Sequence, residues 1–466
     1  MVRLLLLLSS LITSSSVMAS VEAFAGLDLT GHWVGYVAIT LFVLAYTLVI
    51  FEEKIHLRKS KPVLLAAGLI WMLIGYAYSS RHLSHAVEEA IRGTFLEYAE
   101  LFFFLLVAMT YISALLERGV FEALRDWLVS RSLSYKSLFW ITGILAFFIS
   151  PIADNMTTAL IMCAVVLAVG REQPKFIGLA CINIVVGANA GGAFSPFGDI
   201  TTLMVWQKGL LDFSQFFVLF LPSVVNFVVP ATIMYLALPA GKPPESAREE
   251  SALKHGGITI LGLFLLTIVT AVSFHNFLGL PAVFGMMTGL AYLQFYGFYL
   301  RKRDHFLAEQ APPPQEENNN ESFDVFDNIA RAEWDTLFFF YGVIMAVGGL
   351  GFIGYLGLLS AEIYGELSLT TANIMVGLLS SVVDNIPVMF AVLTMNPDMS
   401  NTQWLLVTLT AGVGGSLLSI GSAAGVALMG QAREHYTFLT HLKWTPAIAL
   451  GYFASIYVHL LINNSP

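Results

Sequence analysis

Apolar residues run along this chain in windows long enough to cross a bilayer, with few polar positions inside them. A helix needs about 20 apolar residues to span the hydrocarbon core. Windows of that kind fall at 32–51, 62–80, 96–116, 215–239, 258–275, 281–300, 335–359 and 444–462. Residues 137–170 and 367–395 are too long for one crossing, and each carries a polar break near its middle. Two half-helices meeting at a polar tip, a re-entrant hairpin, fit that pattern better than one tilted helix. Residues 175–206 and 404–430 are interrupted by glycine and polar residues and read as discontinuous spanning helices. The pattern predicts an all-α integral membrane protein of about ten transmembrane spans plus two re-entrant hairpins.

The pattern also repeats. Leu101-Phe102-Phe103-Phe104 returns as Leu337-Phe338-Phe339-Phe340, and Ser150 with Asp154-Asn155 returns as Ser380 with Asp384-Asn385. Gly191-Gly192 with Gly198 returns as Gly414-Gly415 with Gly421. The three pairs keep their order at separations of 236, 230 and 223 residues. Each half holds five crossings and one hairpin that enters and leaves on the same side. Five is odd, so the second half inserts upside down. The expected division is a first inverted repeat over 32–239, a cytoplasmic linker over 240–256, and a second repeat over 257–466. Inverted-topology repeats with broken helices near the midplane mark secondary transporters.

Composition strengthens the membrane reading. Of 466 residues, 57% are hydrophobic and only 12% charged, about half the charged share of a soluble protein. Residues 1–19 read as a signal peptide, with Arg3 before an apolar run and Val17-Met18-Ala19 as a small-residue cleavage site. The alternative is a retained first transmembrane helix. The distribution of positive charge sets the orientation. If the first window runs outside to inside, nineteen Lys and Arg fall in cytoplasmic loops, while only Arg81, Arg92 and Lys208 fall outside. The mature N-terminus and the C-terminus are then periplasmic. The loop 301–333, with its Pro-rich and acidic stretch at 311–320, reads as disordered. Cys163 and Cys181 have no metal or disulfide spacing and read as small core residues.

Ionisable groups inside a membrane are expensive, and their default reading is functional. Asp154 and Asp384 stand at the two hairpin tips, each followed by an asparagine, Asn155 and Asn385. Simple capping of the second half-helix is the plain alternative, but their equivalent places in the two repeats favour function. Asp199 follows Gly198 in the first broken helix, with Asn189 before it and Thr201 and Thr202 after it. That set offers the hard oxygen donors a small cation prefers. Ser419 and Ser422 occupy the corresponding stretch of the second repeat, which has no acid there. Ser150 and Ser380 complete the candidate set. Each hydroxyl taken singly can instead satisfy backbone groups freed by the breaks. Glu100, with Asp335 and Thr336 at the matching depth of the other half, are candidates for an ion pathway. His275, His441 and His459 lie near span ends and read as interfacial.

Exchange follows from the chemistry. A carboxylate taken out of water favours its protonated form, whereas a bound cation holds it ionised. One site can then carry either species, never both. Asp154, Asp199 and Asp384 are expected to form this competing site and to hold the Na+.

These features resemble the NhaD-type sodium/proton antiporters of the ion transporter superfamily. The resemblance is carried by Ser150-Pro151-Ile152-Ala153-Asp154-Asn155, by Asn189 with Ser195-Pro196-Phe197-Gly198-Asp199-Ile200-Thr201-Thr202, and by Ser380 with Asp384-Asn385. It covers nearly the whole chain after the signal segment. It implies exchange of cytoplasmic Na+, and often Li+, for external protons across a bacterial inner membrane, by a homodimer with a scaffold and a moving part. No enzymatic activity, cofactor or nucleic-acid partner is expected; the bilayer is the partner, and Na+ or Li+ and H+ are cargo. Arsenite efflux and sodium-coupled carboxylate or anion transport in the same superfamily are the nearest rivals. Two tip aspartates would repel a dianion, which argues against the second. An intramembrane aspartyl protease is a remote alternative, since the chain has no Tyr-Asp pair and a protease has no use for the repeat.

Overall fold

The computed structural model describes residues 27–55, 57–131, 133–170, 173–243, 253–310 and 323–463. The targeting segment 1–19, the centre of the linker 240–256 and the centre of the loop 301–333 lie outside the described residues. Among the described residues, every regular element is a helix. In the first half these are α1 (Trp33–Ile50), α2 (Ser60–Ser79), α3 (Ser84–Glu117), α4 (Val120–Val129), α5 (Tyr135–Ala153), α6 (Asn155–Gly170), α7 (Pro174–Gly192), α8 (Ile200–Gln207) and α9 (Phe220–Tyr235). In the second half they are α10 (Gly257–Leu278), α11 (Ala282–Gln310), α12 (Val325–Ala330), α13 (Trp334–Phe352), α14 (Tyr355–Ser360), α15 (Leu369–Ser380), α16 (Asn385–Met395), α17 (Asn401–Gly414), α18 (Ala423–Gln431), α19 (Phe438–Leu442) and α20 (Thr445–Asn463). Nine of the described helices are long and apolar enough to cross a membrane, α9 being counted together with the 3-10 turns of Phe213–Leu219 that lead into it. The chain is an all-α integral membrane protein.

Two apolar windows end elsewhere than expected. The loop expected over 301–333 is shorter, because residues 301–310 continue α11 and residues 325–330 form α12. Hydropathy falls where a helix leaves lipid, but the backbone ladder has no reason to stop at Arg301-Lys302-Arg303, which are good helix formers. The window 335–359 is split at Gly354, whose φ of +105° breaks the ladder between α13 and α14 at the one residue type that adopts it without strain.

The helices sort into two groups by contact. Helices α1, α2, α3, α10, α11 and α13 pack on one another, and helices α5 to α9 pack with α15, α17, α18 and α20. Helix α7 lies at the centre of the second group; 94% of its apolar window is buried, so almost none of it meets lipid. Small residues make that possible. A Cβ on Gly191 of α7 would lie 2.1 Å from the Phe147 carbonyl oxygen of α5, and one on Gly414 of α17 would lie 2.2 Å from the Gly377 carbonyl oxygen of α15. Close backbone approach through small residues is how helices associate where the hydrophobic effect gives no drive.

The same contacts secure both long elements at their breaks. The Ser150 hydroxyl donates to the Ala188 carbonyl at 2.6 Å, and the Ser380 hydroxyl donates to the Ala411 carbonyl at 2.9 Å. Each serine therefore pins the first limb of its element to the turn preceding the glycine break of its neighbour.

Candidate functional site

Helix α7 ends at Gly192 because the following chain cannot continue it: Pro196 lacks an N–H and fixes its own φ. The polypeptide re-enters a helix at Asp199, whose backbone is extended (φ -144°, ψ 142°) and whose carboxylate caps α8 by accepting from the Thr201 N–H at 2.9 Å. Asp199 is 4% exposed, so a charge there has no bulk water to face. In the second half Ser422 occupies the matching place, with φ -144° and ψ 151°, and caps α18 through the Gly425 N–H.

Three side chains converge on the Asp199 carboxylate. Its Oδ1 accepts from the Thr201 hydroxyl at 3.0 Å. Its Oδ2 accepts from the Asn155 amide at 3.1 Å and from the Asn385 amide at 3.2 Å. The Asn155 amide also donates to Asn189 Oδ1 at 3.1 Å, and the Asn189 amide donates onward to Ser416 at 2.8 Å and Ser422 at 2.9 Å. The tips of both long elements and both breaks therefore meet at one buried carboxylate. Its side-chain partners are neutral, so its negative charge is hydrogen-bonded but not cancelled. One monovalent cation or one proton would be enough to neutralise a single carboxylate so placed.

The other expected residues divide by place. Thr202 donates to the Ser195 and Asp199 carbonyls, at 2.8 and 2.6 Å, and so satisfies backbone freed by the break. Ser150 and Ser380 likewise serve backbone carbonyls. Ser419 is buried with a hydroxyl that meets no partner, whereas Ser416, three residues earlier, joins the cluster. No periodicity separates the two in an irregular stretch.

The tip aspartates point elsewhere. Among the described residues no three Asp, Glu, His or Cys side chains come together as a metal-holding group, so Asp154, Asp199 and Asp384 do not form one carboxylate cluster. Asp154 turns back onto α6, accepting from the Thr157 N–H at 2.9 Å and its hydroxyl at 2.7 Å. The cause is its backbone: φ of +57° with ψ of 163° is a conformation that glycine adopts readily and other residues rarely do. It lines a cavity instead of the Asp199 cluster. Asp384 is half-buried and faces the Ile386 N–H at 3.5 Å, on the first turn of α16.

The expected pathway residues sit apart from the cluster. Glu100 is partly buried in α3, one turn beyond Glu97, which pairs with Lys208 at 2.5 Å. Asp335 accepts from Ser60 at 2.5 Å, and Thr336 donates to Glu333 at 3.2 Å, both at the start of α13. Two of the histidines expected at the interface are buried. His459 contacts the Thr402 carbonyl at 3.1 Å. His441 accepts at Nδ1 from the Tyr436 hydroxyl and donates from Nε2 to the Ser416 carbonyl, both at 2.8 Å. Burial pushes its imidazole down to about 4, so it is neutral. His441 thus supports Ser416 and, through it, Asn189. Its place near a span end gave no hint of this, since the contact crosses 25 residues.

Comparison with known proteins places these residues in context. A family model described as "Citrate transporter" matches residues 46–294 and 322–412. The chain is similar to "Na(+)/H(+) antiporter NhaD" of Alkalimonas amylolytica, with 59% identity over 94% of this chain and 93% of the relative. It is similar to the protein of the same name from Vibrio cholerae, with 58% identity over 98% of each. "Sodium/proton antiporter 1" of Arabidopsis thaliana shares 31% identity over 91% of this chain and 72% of that protein.

Proposed function

This chain belongs to the citrate transporter family and, within it, to the NhaD-type sodium/proton antiporters, and from that premise we propose that Asp199 is the carboxylate for which cation and proton compete. The protein is a multi-pass membrane transporter that exchanges sodium for protons; it is not an enzyme. One observation carries the assignment: a buried carboxylate held only by neutral donors, at the meeting point of both helix tips and both breaks. With Na+ bound, the carboxylate is ionised and the Asn155, Asn385 and Asn189 side chains have amide oxygens to offer the ion. With Na+ gone, a proton takes its place. Competition at one group excludes loading with both ions at once, which ties the movement of one to that of the other.

The rest of the cycle follows as a proposal. Cytoplasmic Na+, and Li+ with it, is exchanged for external H+ by alternating access, the two inverted repeats supplying the two openings. Asp154 and Asp384 act at the tips as the carboxylates beside the path on either side of Asp199. Two observations support grouping the tips with the breaks as the moving part: the paired serine contacts and the separate packing of the other helices. Family resemblance supports a homodimer in the bacterial inner membrane, and the bias of Lys and Arg toward the loops on one side supports periplasmic termini; no cofactor is called for.

The family model's name raises a carboxylate substrate as the rival. A citrate trianion would need cationic side chains, and Asp199 has an amide, a second amide, a hydroxyl and a backbone N–H as its partners. Coulomb repulsion at that burial disfavours an anion. The test is dequenching of a pH-gradient dye in everted vesicles from an antiporter-deficient host. NaCl and LiCl should collapse the gradient, citrate should not, and Asp199→Asn should abolish the response with protein still in the membrane. Full activity in that variant would remove Asp199 from the mechanism.

A further inference from the structure

Between α3, α4, α6 and the chain leading into α13 lies a cavity of about 580 Å³. Asp154 and Thr157 line it, and so do Glu117, Glu122 and Arg331. Phe121, Glu122, Arg125 and residues 331–333 of its lining belong to stretches that the Lys and Arg distribution assigns to the cytoplasmic side, and Asp154 lines its other part. Its carboxylates are not equivalent. Glu117 accepts from the Asn328 amide at 2.7 Å and has Arg118 and Arg331 within 4 Å. Arg125, one turn from Glu122, is drawn to Asp126 at 3.0 Å instead. Glu122 is left with an oxygen, Oε2, that is hidden from solvent and accepts no hydrogen bond. A carboxylate oxygen in that position is costly unless something positive or a water fills the space beside it. Ser113, Arg125, Glu333 and Gln431 also line it, and the rest is apolar, which strengthens the attraction between a carboxylate and a cation that keeps its water.

We propose that this cavity is the cytoplasmic access path of the transported cation, and that Glu122 is its recruiting residue. It takes up a hydrated monovalent cation before that ion passes to the Asp154 tip. The inference rests on the exchange reading above and adds a residue which that reading does not use. Because Glu122 acts before the ion reaches Asp199, its loss should weaken capture and leave the exchange step alone.

Two measurements on the full-length protein test this. In everted vesicles, Glu122→Gln should raise the NaCl concentration for half-maximal dequenching about threefold to tenfold, the size expected from removing one partly solvated charge, with the maximal response unchanged. Glu122→Asp should recover most of the difference. The second measurement introduces Ala164→Cys, a residue lining the same cavity, together with Cys163→Ala and Cys181→Ala. A membrane-impermeant methanethiosulfonate should label it in everted vesicles and not in right-side-out ones, and NaCl should slow the labelling. An unchanged half-maximal concentration in Glu122→Gln overturns the recruiting role, and labelling from the periplasmic side only, or from neither side, overturns the access path. Failure of the exchange reading has a different signature: the wild-type protein itself would give no Na+ response.

Discussion

Asn385 holds its side-chain nitrogen 3.2 Å from Oδ2 of Asp199, across 186 residues of sequence. The contact joins the tip of one long element to the cap of the opposite broken helix. Asn155 reaches the same oxygen from the other tip. A displacement of either tip therefore changes the donors around the one carboxylate at the centre, which is a direct way to couple ion occupancy to movement.

That arrangement gives the first prediction. Removing one amide takes a donor from an ionised oxygen, and hydrogen bonds to charged groups contribute roughly 1.5–3 kcal/mol each. Because Na+ requires the ionised form, Asn385→Ala and Asn155→Ala should each raise the half-maximal Na+ concentration by about tenfold or more. A NaCl titration of dye dequenching at fixed pH measures it. Unchanged Na+ dependence in both variants would mean that these amides do not serve the cation-bound state.

The glycines at the crossings give the second. Gly191→Ala and Gly414→Ala each place a Cβ against a backbone carbonyl at little over 2 Å, and a carbonyl within a helix cannot swing aside. Overpacking of that kind costs about 1–3 kcal/mol, so both variants should melt at lower temperature in detergent. Gly262→Ala is the control, since nothing lies within 4 Å of its would-be Cβ, and there alanine should gain roughly 0.5–1 kcal/mol from helix propensity. Equal melting temperatures for all three would show that the close crossings are not present in the protein.

How far the sequence carried the reading depends on which physical rule each residue obeys. The breaks at Asp154, Gly192–Asp199, Ser380–Asp384 and Gly414–Ser422 were legible because lipid tolerates no unsatisfied backbone, and Gly, Pro and Ser therefore stand out. The Asn189, Asp199 and Thr201 grouping was legible for the same reason, being local in the chain. The direction of the Asp154 carboxylate was not, because it depends on a positive φ that no residue pattern encodes. Ser416 in place of Ser419 was also invisible, since an irregular segment has no period from which to infer a face. His441 looked interfacial because hydropathy reports how apolar the neighbours are and not which surfaces pack over a span end.

Strain at Asp154 gives the third prediction. A non-glycine residue at φ +57°, ψ 163° stores on the order of 1–3 kcal/mol, while its cap onto Thr157 returns about 1 kcal/mol. Asp154→Gly relieves the strain and loses the cap, so it should melt at or slightly above the wild-type temperature. Asp154→Ala keeps the strain and loses the cap, and should melt lower. Both should lose Na+-dependent dequenching if the carboxylate stands on the ion path. Thermal melts and vesicle assays on the same preparations separate the two effects; a glycine variant less stable than the alanine one would show that the backbone there is not strained.

The last prediction concerns acid. His441 is buried, with Nδ1 accepting from Tyr436 and Nε2 donating to the Ser416 carbonyl, and a second proton would leave Nδ1–H facing a hydroxyl that already donates to it. Its folded value of about 4 lies below the ordinary histidine value near 6.5. The unfolded chain therefore takes up a proton between those two values while the folded chain does not, so stability is complete above pH 6.5 and declines as the pH falls toward 4. Over the whole window the decline is on the order of 3 kcal/mol, at 1.36 kcal/mol for each pH unit. His441→Gln keeps a donor and an acceptor but cannot titrate. It should be somewhat less stable than wild type at pH 8 and should lose less melting temperature between pH 7 and pH 4.5, with a thiol-reactive dye reporting the exposure of Cys163 and Cys181. Parallel pH dependences for the two proteins would mean that His441 titrates alike in the folded and unfolded chain, and that the support it gives to Ser416 and Asn189 does not depend on its staying neutral.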